Sequence, residues 1–280
     1  MYKTDGVKNV LEAVRQRKSL IHIIVGQVSV NDCANVVLAL GGRPITAECP
    51  LEVEQITGNA DSLAVSFANI TQGRAEAIML SGRVASEKNI PSVIDVVGVT
   101  CSDYRVELAK KFIEECKPVV IKGNISEIRK MASVMAVLND EVLPDYAGNV
   151  GIDASASDIE AMSDEEKLAD MGELVRHFAK NTGAVVLASG VVDIVSDGER
   201  VEYVPGGKPQ MARVTGTGCM LNSAVATTIS CCGYRLEDVM DAVVCASKIM
   251  KTCGEFADES SGLGSYRVNL IDAISKYRMF

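Results

Sequence analysis

A mostly parallel α/β sheet covered by helices on both faces is the architecture this sequence predicts. Two observations predict it. Short, nearly continuous apolar segments alternate with amphipathic stretches from one end of the chain to the other. Strands buried on both faces read as unbroken apolar runs, and the helices that cover them carry one apolar stripe. A third feature, VVDIVSD-GE-RVEYV, predicts an antiparallel hairpin turning near Asp197-Gly198.

The elements follow in order. Residues 3–18 read as an amphipathic helix through Val7, Val10, Leu11 and Val14. LIHIIV at 20–25 reads as a buried strand, and a helix near 31–41 stops at Gly41-Gly42. Further strands are expected at 62–66, 92–97, 118–121, 184–188, 191–196 and 200–204. Helices are expected between them at 71–81, 103–116, 124–137 and 164–181. On 103–116, Val106, Ala109, Ile113 and Cys116 share one face. The irregular stretch 138–163 reads as a surface loop, and the chain ends in helices over 218–232, 235–254 and from about 264. No repeat, linker or low-complexity tract interrupts the pattern, so residues 1–280 are expected to form one domain.

Composition narrows the function. Of 280 residues, 48% are hydrophobic and only 4% aromatic, with no Trp, so the core must be aliphatic. A net charge of −9 argues against nucleic acid as a partner, because phosphate backbones are bound by basic faces. No apolar run is long enough to span a bilayer. The nine cysteines are scattered, no C-x-x-C pair occurs and only two histidines are present, so structural zinc is not expected. The polar, charged first 18 residues and the unpaired cysteines together point to a reducing cytoplasm.

Four segments can carry chemistry. In VTGTGCMLNSAVATT, Gly216 and Gly218 open a long helix of small residues, which is the arrangement of an anion site. A tight turn packing helix on sheet is the plainer reading of two such glycines. The segment is neither a Walker A loop nor a dinucleotide fingerprint, since the G-K-[ST] ending and the third glycine are missing. Cys219 lies in the first turn of that helix, where a lowered thiol pKa is expected, although most cysteines are simply small buried hydrophobes. In VVIKGNISEI a strand is expected to end at Lys122, and Asn124 and Glu127 have capping-box spacing. A second role for that segment would have Lys122 meet phosphates and Glu127 face hydrated Mg²⁺. In VIDVVGV, Asp95 follows a strand and would share the ion with Glu127, or else serve a turn. The polar cluster Gln27, Ser29, Asn31, Asp32 and Asn35 after the first strand would cap a helix or present hydrogen-bonding groups to a small polar molecule.

NDCANVVLALGGRP, DVVGV, IKGNISEI and VTGTGC together, in this order and spacing, resemble the hydroxyethylthiazole kinases of the ribokinase-like superfamily. The resemblance runs from about residue 10 to the last helix. It implies a three-layer αβα fold and a homotrimer with active sites between subunits. The activity it implies is MgATP-dependent phosphorylation of the hydroxyl of 4-methyl-5-(2-hydroxyethyl)thiazole in thiamine salvage. Carried over by position, Gly216, Thr217 and Gly218 would form the anion hole, and Cys219 would stand where most of the superfamily has a catalytic Asp. Lys122, Ser189 and Asn124 would face ATP, and Glu127 and Asp95 the Mg²⁺. Gly26, Val28, Thr46 and Gly216 would line the substrate. The family's H-S-I-T-N reads His22-Ile23-Ile24-Val25-Gly26 here, so an Asn becomes Gly, and N-I-G-T-L reads Ser66-Phe67-Ala68-Asn69-Ile70. These departures fall in substrate-side loops, which leaves room for a different small alcohol, or for a sensor that binds nucleotide without turnover. A thiol-dependent hydrolase built on Cys219 ranks last, because neither His22 nor His177 carries a matching signature.

Overall fold

The computed structural model describes residues 4–135, 165–233, 235–257, 260 and 262–277. The loop expected at 138–163 lies outside these residues. Eight strands form one sheet in the order β2-β1-β3-β4-β5-β6-β7-β8. They are β1 (Leu20–Ile24), β2 (Arg43–Ile45), β3 (Ser62–Ser66), β4 (Ser92–Asp95), β5 (Val120–Asn124), β6 (Val185–Ser189), β7 (Asp193–Ser196) and β8 (Val201–Val204). The first six pair in parallel, and β7 and β8 join antiparallel, as the hairpin signal predicts.

The helices sort by face. On one side lie α1 (Thr4–Arg17), α2 (Val30–Leu40), α9 (Thr217–Ile229), α10 (Leu236–Phe256) and α11 (Leu263–Lys276). On the other lie α3 (Val53–Thr57), α4 (Gln72–Glu87), α5 (Asp103–Cys116), α6 (Ile125–Val134) and α7 (Glu165–Thr182). A short α8 (Gln210–Arg213) leads into α9. Strand residues alternate between the two cores. Ile23, Ala64, Val93, Val120 and Leu187 face the first, while Ile24, Val65, Ile94, Ile121 and Val186 face the second. This period of two on continuously apolar strands is why a sheet with two covered faces forms.

Three differences from the sequence reading bear on the site. β5 does not end at Lys122. It runs on to Asn124, because Gly123 and Asn124 continue the ladder against Ala188 and Ser189. β4 is shorter than expected and stops at Asp95, where the chain turns toward Gly98. β2 and α3 were not expected, since three and five residues are too few to show a period. Because β1 pairs with both β2 and β3, the strand order reverses there. Open α/β sheets bind ligands beyond the carboxyl ends of strands at such a reversal.

Candidate active site

The turn into α9 sits over that reversal. Gly216 caps the helix with φ +94°, a left-handed conformation that favours glycine. A Cβ there would also lie 2.7 Å from Ser29 Cβ, in the loop after β1. Thr217 Oγ1 donates to the carbonyls of Met211 (2.9 Å) and Val214 (3.3 Å), which locks the turn. The first amides of a helix have no intrahelical acceptor and carry the positive end of its dipole. Gly216, Thr217 and Gly218 thus form a fixed turn at the positive end of a helix, the geometry an anion site requires.

Beneath it lies a buried charged cluster. Asp95 and Lys122 are register partners on β4 and β5, and Lys122 Nζ lies 3.1 Å from Asp95 Oδ1. A Cβ on Gly218 would stand 3.2 Å from the same Nζ, so the ammonium sits against the anion loop. Burial alone would lower the Lys122 pKa, but the charges of Asp95 and Glu127 outweigh it and hold the group above its usual value. Burial pushes the Asp95 carboxyl up, against the pull of Lys122 and the Ser66 hydroxyl.

Glu127 completes the capping box. Its own amide donates to Asn124 Oδ1 at 2.9 Å, while its Oε2 accepts from the Asn124 amide at 2.8 Å. Oε1 accepts from the Gly98 amide at 2.7 Å, which ties the β4 loop to the start of α6. Burial and then the Asp95 charge raise its pKa to about 7. Each carboxylate oxygen keeps a further lone pair, and Mg²⁺ needs only one or two carboxylates plus water and phosphate oxygens. The donor set of Glu127 and Asp95 therefore fits Mg²⁺. Among the described residues no group of three or more His, Cys, Asp or Glu could hold a metal alone.

Cys219 corrects one expectation. Its position in the first helical turn predicts a lowered pKa, but the thiol is buried beside Asp95, and burial first, then that charge, push it up. Near neutrality it is a thiol. Its sulfur lies 4.0 Å from Ser66 Oγ, which donates to Asp95 Oδ2 at 3.4 Å and accepts from the Ala68 amide at 3.3 Å. The chain of donors runs one way, S–H to O–H to carboxylate, and the Ser29 hydroxyl also lies against the sulfur.

The remaining candidates spread along the strand ends. Ser189 is the β6 partner of Asn124, and its hydroxyl donates to the Gly123 carbonyl at 3.3 Å. Gly26 is buried beside the turn closed by Ser29, whereas Val28 is 65% exposed. Thr46 follows edge strand β2 and is exposed. Strands are spaced about 4.8 Å, so Thr46 and Ser189 stand five spacings apart, roughly 24 Å. They border opposite ends of the site and do not meet.

Two further residues hold the loops around the site. Arg74 on α4 is buried. It donates to Glu48 Oε2 (2.9 Å) and to the carbonyls of Ala68 (3.1 Å) and Asn69 (2.6 Å), joining two loops. His22 is neutral, its pKa lowered by burial. Nε2–H donates to the Ala47 carbonyl and Nδ1 accepts from Thr57 Oγ1, each at 2.8 Å. In sequence, Arg74 reads as an ordinary solvated helix residue.

One sheet of this strand order between two helical layers is the ribokinase-like fold. The fold is shared with a ribokinase-like superfamily protein from Enterococcus faecalis V583, with a TM-score of 0.57 over 99% of this chain and 98% of that one at 12% identity. The hydroxyethylthiazole kinase structure from Pyrococcus horikoshii OT3 superimposes with a TM-score of 0.79, at 25% identity, covering 98% of this chain and 94% of that one. Hydroxyethylthiazole kinase 2 of Clostridium botulinum (strain Hall) is 40% identical over 261 residues, 93% of this chain and 91% of the relative. Residues 11–279 match the pattern of the hydroxyethylthiazole kinase family, and the chain belongs to that family of alcohol phosphotransferases.

Proposed function

We propose that the chain transfers the γ-phosphoryl of ATP to the hydroxyl of 4-methyl-5-(2-hydroxyethyl)thiazole, as its family and its relatives' names imply. The observation that carries the mechanism is the juxtaposition of the anion loop, Lys122 and Cys219 over the ends of β3 to β5. Phosphoryl transfer has a loose transition state, so positioning and charge stabilisation dominate. The amides after Gly216 receive the negative charge of the transferring group, and Lys122 adds a fixed positive charge beneath them. Cys219, held by Ser66, orients the acceptor hydroxyl as a thiol. Asn124 and Ser189 face the nucleotide. Glu127 and Asp95 would hold Mg²⁺, largely through water, and the ion would supply charge neutralisation of the phosphates.

The working unit we propose is a homotrimer. Val28 and Leu51, 65% and 96% exposed near the acceptor side, are apolar surface that a second copy would cover. We also place the activity in the cytoplasm, because cysteines left free suit a reducing compartment. Among the described residues no helix is long and apolar enough to cross a membrane.

The test is ADP release with Mg²⁺ and ATP, with and without the thiazole. Release should require the thiazole, and Cys219→Ala should slow it by about 10²-fold, the low end for a group acting on the reacting hydroxyl, without altering ATP binding. ATP binding with no thiazole-dependent release would overturn the proposed acceptor. Undiminished turnover in Cys219→Ala would remove Cys219 from the mechanism.

A further inference from the structure

We propose that the Asn69 carboxamide is a specificity-determining contact for the acceptor alcohol, delivered from the loop after β3 into space that Gly26 leaves open. The inference rests on the acceptor side lying among the loops after β1, β2 and β3.

The first observation is at Gly26. A Cβ built there would stand 2.6 Å from Asn69 Oδ1 and 2.9 Å from Ala68 Cβ. Gly26 is not among the residues with positive φ, so its backbone does not demand glycine. A side chain at 26 is opposed by the Asn69 carboxamide and, behind it, by Ala68, whose carbonyl would stand 3.1 Å away.

The second is what Asn69 does, and does not do, inside the fold. Its backbone is left-handed, φ +51°, which Asn tolerates better than other side-chain-bearing residues. Its carbonyl is pinned by Arg74 Nη1 at 2.6 Å. The carboxamide, by contrast, makes no hydrogen bond among the described residues and is exposed. A carboxamide carries two donors and an acceptor. Here they are held in place by a fixed backbone and used by nothing among the described residues.

The third is where the group lies. The turn 66–69 starts at Ser66, 4.0 Å from the Cys219 sulfur. The Gly26–Ser29 turn, closed by the Ser29 amide on the Gly26 carbonyl at 3.0 Å, abuts Gly216. Asn69 therefore borders the space flanked by the thiol and the anion loop, where the acceptor's hydroxyl must arrive. The chemistry fits a small neutral heteroaromatic alcohol, whose ring nitrogen or hydroxyl oxygen accepts from Nδ2–H.

Steady-state kinetics test this with three variants. Asn69→Gly removes the carboxamide while keeping a residue that tolerates the left-handed backbone. It should raise the KM for the thiazole about three- to tenfold, the size of one neutral hydrogen bond, and leave the KM for ATP within twofold. Gly26→Asn alone should also raise the thiazole KM, since its side chain meets Asn69. Asn69→Asp keeps the shape but removes the N–H donor, and should raise the thiazole KM about as much as Asn69→Gly does while sparing ATP. An unchanged thiazole KM in Asn69→Gly would overturn the inference. So would an equal rise in both KM values, which marks a structural role. Wild-type turnover with the thiazole is the control: its absence would sink the proposed acceptor, whereas its presence with an indifferent Asn69→Gly would sink this inference alone.

Discussion

The two sides of the site are built on different principles. On the side we assign to phosphate, Lys122, Asp95 and Glu127 are nearly inaccessible, and each is fixed by strand pairing, an ion pair or backbone amides. On the side we assign to the acceptor, the loops around Gly26, Thr46 and Asn69 are partly open and are held from behind by Arg74 and His22. Buried charges must have partners, so that side tolerates little change. A loop held through its carbonyls can exchange side chains without losing its path. This explains why the departures from the family pattern gather at 22–26 and 66–70 while the motifs around Lys122 and Gly216 persist.

Three perturbations would break or sharpen that contrast. The largest effect is expected from Lys122→Met, which strands Asp95 and Glu127 in a dry site. Removing one partner of a buried pair costs about 3–5 kcal/mol, readable in urea unfolding. A loss below about 1 kcal/mol would show that the cluster is not under electrostatic tension. Next comes Arg74→Met, which frees two carbonyls and Glu48. It should cost about 1.5–3 kcal/mol and raise the thiazole KM while sparing ATP, and an equal rise in both would erase the division between the two sides.

The third perturbation is a pH slope. The Glu127 pKa is raised from its ordinary 4.5 to about 7 in the folded chain. Between those values the native state binds the extra proton. The contribution of Glu127 to stability is therefore full below about pH 4.5 and is lost as pH rises through 7. Thermal melts from pH 5 to pH 8 should decline more steeply for the wild type than for Glu127→Gln. Parallel melting curves would mean that the Gly98 and Asn124 amides already hold the carboxylate ionised.

The sheet was legible because its strands are apolar on both faces, and the hairpin because Asp197-Gly198 marks its turn. The short β2 and α3 carry no period and could not be read. Within the site, the Asn124–Glu127 box is local and its spacing sufficed. The Lys122–Asp95 pair depends on strand adjacency, which no local pattern encodes. Cys219 was misjudged for the same reason. A helix terminus can be seen in sequence, but the burial of the thiol, and after it the carboxylate of Asp95, 124 positions earlier in the chain, cannot.

The contact between Ser29 and Gly216 sets the mutational freedom of the enzyme. A side chain at 216 is opposed twice, by its φ of +94° and by Ser29 Cβ at 2.7 Å. Any enlargement at 29 presses on the same turn. The two positions are therefore coupled epistatically, and a library that varies one without the other will be mostly dead. Val28, one residue away and pointing outward, carries no such coupling. Laboratory evolution toward new acceptors should travel through Val28 and Asn69, and stall at Ser29.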